Sequence, residues 1–156
     1  MSTGTAAALI TPEIRAWIGR SEAVGPLEVT RRDIVKYALA TAQRLPKYQR
    51  GDEAPPMFLY GLMFPLVPLE RLGSDGLARR SLSPELPLKR IMAGGTRTRY
   101  FRAVRPGDVL CGTLTLADIV GKDGSTGPLL FISYTLQIAT DRGEPVFEET
   151  QTRIAR

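Results

Sequence analysis

Arg97 and Arg99 stand two residues apart, a spacing that puts both guanidinium groups on one face of a β-strand. Arg102 would then face the other way. Gly94-Gly95 lies just before the pair, and two glycines allow close backbone approach to a ligand or a nest of N–H groups for an anion. A planar, permanently charged guanidinium suits phosphate oxygens, so the chemistry on offer is anion recognition. A simple strand-entry turn is the plain alternative for the glycines. Other candidates offer less. Glu148 and Glu149 are adjacent on a strand and point to opposite faces, so they do not form an acid pair. Cys111 sits mid-strand beside Gly112 and reads as a buried, inert thiol. Asp108 follows Pro106-Gly107 and reads as a turn residue that starts a strand. The sequence has no metal-ligand spacing and no Walker-type phosphate loop.

None of the 156 residues is histidine. That removes Ser-His-Asp and Cys-His triads, His-ligated metals and any imidazole base. An enzyme built on this chain runs on carboxylates or takes its base from another chain. Lys+Arg is 21 and Asp+Glu is 16, a net charge of +5, and the excess is uneven. Between Arg79 and Arg105 eight basic residues meet one acid, Glu85, giving a window of +7 and leaving −2 elsewhere. Such a patch points to a phosphorylated ligand or nucleic acid, against the alternative of a solvated basic face. The aromatic residues inside it, Tyr100 and Phe101, are too few for a base-stacking platform, so no nucleic-acid partner is expected.

The length fits a single domain, 1–156. A lone cysteine makes no internal disulfide, which suits a reducing, cytoplasmic setting. The apolar run 6–10 has no basic start, so no signal peptide is expected, and no apolar run is long enough to span a membrane.

These side chains need elements to carry them. Thr11-Pro12-Glu13 reads as N-cap, N1 proline and first-turn acid of a short helix ending near Gly19. Residues 21–29 read as a loose extended segment. Thr30, with Asp33 three residues on, caps a helix to about Thr41 that carries Ile34, Tyr37, Ala38 and Ala42 on one face. Residues 43–54 read as a polar loop. The most apolar stretch, 57–69, reads as a buried helix that Pro65 and Pro68 kink or end. Residues 72–88 read as a long loop, a feature that is often functional. Strands are expected over 96–104, 109–120, 129–140 and 145–155, with a hairpin turn region beginning at 121–124 and a turn at 141–143. Helices followed by an antiparallel meander make an α+β fold, a curved antiparallel sheet wrapped around one central, proline-broken helix.

That order, with the segments Trp17-Ile18-Gly19-Arg20-Ser21-Glu22, Pro55-Pro56, Leu72-Gly73-Ser74-Asp75-Gly76, Arg90-Ile91-Met92-Ala93-Gly94-Gly95, Phe101-Arg102-Ala103-Val104-Arg105-Pro106-Gly107-Asp108 and Gly127-Pro128-Leu129-Leu130-Phe131, resembles the hot-dog fold. It is similar in particular to the N-terminal half of MaoC-like (FAS1-like) dehydratases, a family that includes 3-methylfumaryl-CoA and mesaconyl-C4-CoA hydratases. The resemblance implies a chain that is one of two hot-dog halves, the second half beginning about where this chain stops. It also implies an enoyl-CoA-type hydratase or dehydratase in which the other half carries the catalytic Asp and His. The catalytic segment of related hydratases, Gly-Asp-x-Asn-Pro-x-His, follows a helix beginning Thr-x-x-Asp-Ile. Thr30, Asp33 and Ile34 match that helix. On the same spacing Gln43 stands for the Asp, Leu45 for the Asn and Tyr48 for the His, and Pro46 alone is kept. Glutamine is no carboxylate base, and tyrosine, titrating near pH 10, is a poor base at pH 7.

The half represented here would supply dimer surface and part of an acyl and CoA tunnel. Phe58, Tyr60 and Phe64 are the candidates for the acyl part, with core packing as the alternative for the apolar residues of that helix. Gly94, Gly95, Arg97 and Arg99 are the candidates for the phosphates of coenzyme A. The resemblance implies no cofactor and no metal, CoA being part of the thioester substrate. It implies a homodimer, or a heteromer with a His-bearing hot-dog subunit. Two other readings stay open. One is a hot-dog thioesterase working through a carboxylate, Asp33 or Asp52. The other is a non-catalytic acyl-CoA-binding homodimer.

Overall fold

The computed structural model describes residues 5–62, 67–73, 76 and 82–156. Its frame is a five-stranded antiparallel sheet of β1 (Ser21–Glu28), β2 (Ile91–Tyr100), β3 (Val109–Gly124), β4 (Gly127–Thr140) and β5 (Pro145–Ala155). The spatial order is β1-β3-β4-β5-β2. The expected α+β class holds, but the sheet is not a plain meander. Only β3, β4 and β5 follow one another in space. β2 pairs with β5 at one edge, so the chain must cross that end of the sheet to enter β3.

The strands depart from the expected bounds where the sequence signal is local. β2 begins at Ile91 and ends at Tyr100, so residues 101–104 are the crossing rather than strand. The turn region expected to begin at 121–124 narrows to Ser125-Thr126, because β3 and β4 stay paired out to Gly124 and Gly127. Residues 21–29 are not loose. β1 pairs with β3 through a register shift between Val24 and Leu27, which the edge position tolerates because Pro26 needs no ladder partner there.

Among the described residues five short helices cover one face: α1 (Thr5–Ala8), α2 (Pro12–Arg15), α3 (Arg31–Ala40), α4 (Pro46–Gln49) and α5 (Phe58–Leu62). The Thr11 and Thr30 side chains cap α2 and α3 by accepting the Ile14 and Asp33 N–H groups, as the sequence predicts. Ala42 does not extend the α3 face, because it lies past the helix end with φ +51°. α1 was not foreseen, and α4 interrupts the expected loop 43–54, with Pro46 at its start. The expected buried helix over 57–69 is short where it is described. α5 spans five residues, residues 63–66 lie outside the described set, and a 3-10 turn at Leu69–Arg71 follows Pro68. Met57 is 52% exposed, not core.

The inner face follows from strand alternation. On β4, Leu130, Ile132, Tyr134 and Ile138 are buried, while Phe131, Ser133, Thr135 and Gln137 face the other side. Val29, Ile34, Phe58, Leu59, Leu110 and Ile138 make one core under α3 and α5. Ile10, Ile14, Leu82, Leu86, Leu116 and Ile132 make a second. Leu82 and Leu86 belong to the expected long loop, so its described C-terminal part is core packing. The buried Tyr134 hydroxyl, 3.2 Å from the Leu82 carbonyl oxygen, donates to it and ties that segment down.

Candidate functional site

Strand register decides which side chains can meet. Directly paired residues of an antiparallel sheet share a face. Phe147, Glu149 and Gln151 on β5 pair with Ile138, Leu136 and Tyr134 on β4, and so they face inward. Tyr100 and Thr98 on β2 pair with Phe147 and Glu149 and face inward too. The inner face is therefore apolar over β3 and β4 and turns polar toward the β5–β2 edge.

That polar band is closely connected. Gln151 Nε2 donates to the Tyr60 hydroxyl of α5 at 2.9 Å. Thr98 Oγ1 lies 3.5 Å from Glu149 Oε2. The Tyr100 hydroxyl donates to the Pro56 carbonyl at 2.7 Å, and its ring meets Phe147 edge-on with centroids 5.1 Å apart. Burial pushes the Tyr100 hydroxyl's pKa up, and the Glu149 charge adds to the effect. Glu149 is only 7% exposed, one strand in from an edge whose residues are all exposed. The band offers a carboxylate, hydroxyls and an amide in apolar surroundings. Such groups can orient a polar group by hydrogen bonds.

The expected substrate-binding residues fall into two sets. Phe58 and Tyr60 come together on the inner side. Phe58 is buried with its ring edge-on to Tyr37 at 5.7 Å, and Tyr60 is half-buried in the polar band. Phe64 lies outside the described residues, as do Arg79 and Arg80. Arg97 and Arg99 pair with Thr150 and Glu148, so both point to the outer face, across the sheet from Phe58. Gly94 and Gly95 do not precede the strand. They lie inside β2 at a bulge between Ala93 and Gly95. A Cβ at Gly94 would stand 3.1 Å from the Thr152 carbonyl oxygen, so the close approach there is to β5.

Gln43 is half-buried and donates from Nε2 to Thr41 Oγ1 at 3.3 Å. Tyr48 is buried at the end of α4, with the Lys47 ammonium 5.0 Å from its ring centre. The carboxylates considered for a thioesterase are committed elsewhere. Asp33 caps α3 with Thr30. Asp52 bridges Arg31 at 2.7 Å and Arg50 at 2.8 Å, and hydrogen bonds from those two guanidinium groups hold its pKa low.

Arg102 does not face out from a strand. It lies past the end of β2 and grips Asp108 with two guanidinium nitrogens at 2.9 and 3.0 Å. Cys111 is half-buried rather than buried. It lines an open groove of about 470 Å³ with Phe101, Thr113, Gln137 and Pro145, on the far side of the sheet from the polar band. Sequence reasoning missed Thr98, Tyr100, Glu149 and Gln151. Glu148 and Glu149 do face opposite ways, and the usable signal was the alternation with Phe147, an aromatic residue two positions before Glu149.

Comparison with known proteins bears on the chain as a whole. Residues 16–149 match the family described as FAS1-like, dehydratase domain region. The chain is 32% identical over 129 residues to mesaconyl-C(4)-CoA hydratase of Chloroflexus aurantiacus, an alignment covering 79% of this chain and 44% of that protein. The chain thus spans less than half the length of that curated relative. Among solved structures it is similar to a MaoC-like dehydratase from Rhodospirillum rubrum, with a TM-score of 0.57 and 18% identity over 88% of this chain and 91% of that one. It is also similar to the ChsH1-ChsH2 complex from Mycobacterium tuberculosis, with a TM-score of 0.60 and 19% identity over 87% of this chain and 82% of that one. A third is the HadBC (3R-hydroxyacyl-ACP dehydratase) complex of the same organism, with a TM-score of 0.60 and 16% identity over 87% and 96%.

Proposed function

The chain belongs to the FAS1-like dehydratase domain family and has the hot-dog fold, and on that premise we propose that it is one half of a hydratase or dehydratase for acyl-CoA thioesters, with the acid–base pair on a second hot-dog unit. The observation that carries this reading is the absence of histidine from a chain 32% identical to part of a CoA-thioester hydratase. Adding water across a double bond conjugated to a thioester takes a base for the water, an acid for the α-carbon and donors for the enolate oxygen. Gln43 and Tyr48, at the positions where the resemblance sets the acid and the imidazole, supply an amide and a phenol in place of a carboxylate and an imidazole.

In this reading the chain's own part is to bind and orient. The core around Phe58 flanks the acyl chain, and Tyr60, Thr98, Glu149 and Gln151 hold the polar group beside it. The second unit joins at the free edge of β2, next to that band. Heteromeric relatives of the same fold, the ChsH1-ChsH2 and HadBC complexes, support a two-chain assembly. The carboxylate thioesterase has less support, because Asp33 and Asp52 are held in a cap and in surface ion pairs.

Reconstitution tests the proposal. Mixed with a hot-dog hydratase subunit that carries the Gly-Asp-x-Asn-Pro-x-His segment, the chain should give turnover of an enoyl-CoA at least about 100-fold above this chain alone, the scale of one general acid–base contribution, and above that of the partner subunit alone. A mixture no more active than its parts contradicts the reading.

A further inference from the structure

The two edges of the sheet differ. β1 carries Pro26, which has no N–H to donate and keeps that edge from pairing. β2 has no proline, and all ten of its residues are exposed, Ile91, Met92 and Tyr100 among them. Among the described strands it pairs on one side only, with β5. From Thr96 to Tyr100 that pairing is regular, so the backbone groups on the other side are laid out for another strand.

Charge says which strand. Residues 89–100 contain Lys89, Arg90, Arg97 and Arg99 and no acid. Lys89 pairs with Glu85 at 3.2 Å. Arg97 faces Thr150 across the ladder, while Arg99 faces Glu148 and lays its guanidinium over the Phe101 ring at 4.8 Å. An antiparallel pair formed by two copies of β2 keeps paired residues on a common face, so the arginines of both copies would gather on the outer face of one joint. Like charges set opposite each other weaken a strand pair, and opposite charges strengthen it.

We infer that the free edge of β2 pairs with a strand whose outward-facing residues are acidic, in a hot-dog unit other than a copy of this chain, and that Arg97 and Arg99 select that partner against self-pairing. The inference deepens the two-unit reading above and rests on it. Arginines that face outward on the pairing edge set partner choice, while the polar band behind the same edge meets the substrate.

The test uses the full chain and two exposed-site variants, R97E/R99E and R97Q/R99Q, followed by sedimentation equilibrium at low salt. Wild type mixed with R97E/R99E should associate about ten-fold more tightly than either does alone. That advantage should shrink in 0.5 M salt, at which surface charges are screened over roughly 4 Å. R97Q/R99Q should self-associate more tightly than wild type, since it removes the repulsion and keeps the strand. A wild-type homodimer as tight as the mixed dimer, or one that the neutral variant does not strengthen, overturns the inference. So does a CoA or pyrophosphate affinity that R97Q/R99Q lowers about ten-fold with association unchanged, since the arginines would then be an anion site. The reconstitution assay stands apart from these outcomes. Turnover with a His-bearing partner can survive loss of charge selection, and charge-selected pairing can occur without turnover.

Discussion

Arg102→Ala should lower the stability of the chain by about 3 kcal/mol, the lower end of what breaking a desolvated ion pair costs. The side chain sits where the chain crosses from β2 to β3 under the end of the β4–β5 pair. Its guanidinium bonds both Asp108 oxygens and the Ala103 carbonyl, the last at 2.7 Å. Its Nε lies 3.0 Å from Glu144, a Coulombic contact whose N–H points off the line of a hydrogen bond. The pair is largely shielded, the Arg102 and Asp108 side chains being 22% and 17% exposed. Removing the arginine leaves a carboxylate with the Arg105 N–H at 2.8 Å as its remaining donor.

The pH dependence carries a signature of the same pair. Burial alone would raise the Asp108 carboxyl, and hydrogen bonds from Arg102 and Arg105 with their charges more than reverse this, so its pKa is low in the folded chain. A group with a depressed folded pKa adds stability above its unfolded value, near 4 for aspartate, and that stability is lost as pH falls through the folded value. Chemical denaturation between pH 3 and 7 should therefore give wild type a steep acid limb and Arg102→Ala a shallower one. An unchanged acid limb would show that Asp108 owes its state to something other than Arg102.

Leu110→Ala should cost about 3 kcal/mol, the range for emptying a leucine site in a packed core. Leu110 is fully buried on the inner face of β3, among Val29, Ile34, Ile138 and Phe147. It joins the sheet to α3 and to the core beneath α5, so the cavity would open under the elements that carry Tyr37, Phe58 and Tyr60. Leu110→Met, which keeps the volume, should cost under about 1.5 kcal/mol. Equal losses for the two variants in urea denaturation would mean that the site is not close-packed.

The parts legible in the sequence are those specified locally. The β4 alternation sorted inner from outer residues because one face of that strand is buried and the other is not. Thr30 and Asp33 marked the start of α3 because a cap is a contact between near neighbours. What stayed hidden is set by distant residues. β2 shows no alternation of burial, all ten of its residues being exposed, so its start at Ile91 left no periodic trace. Its place beside β5 depends on a crossing that no local signal announces. The candidate site suffered for the same reason. The spacing of Arg97 and Arg99 gave their shared face, but only the pairing with Thr150 and Glu148 put that face across the sheet from Phe58. The pairing of Glu149 with Thr98 likewise exposed the inner polar band.

The account turns on one claim, that this chain holds substrate but lacks the acid–base pair. Incubating the purified chain alone with a short enoyl-CoA, and following loss of the conjugated thioester's ultraviolet absorbance, tests it most directly. The account predicts a rate no different from the uncatalysed reaction. Hydration by the chain alone at about 1 s⁻¹ or faster, within the ordinary range of enzyme turnover, would contradict it.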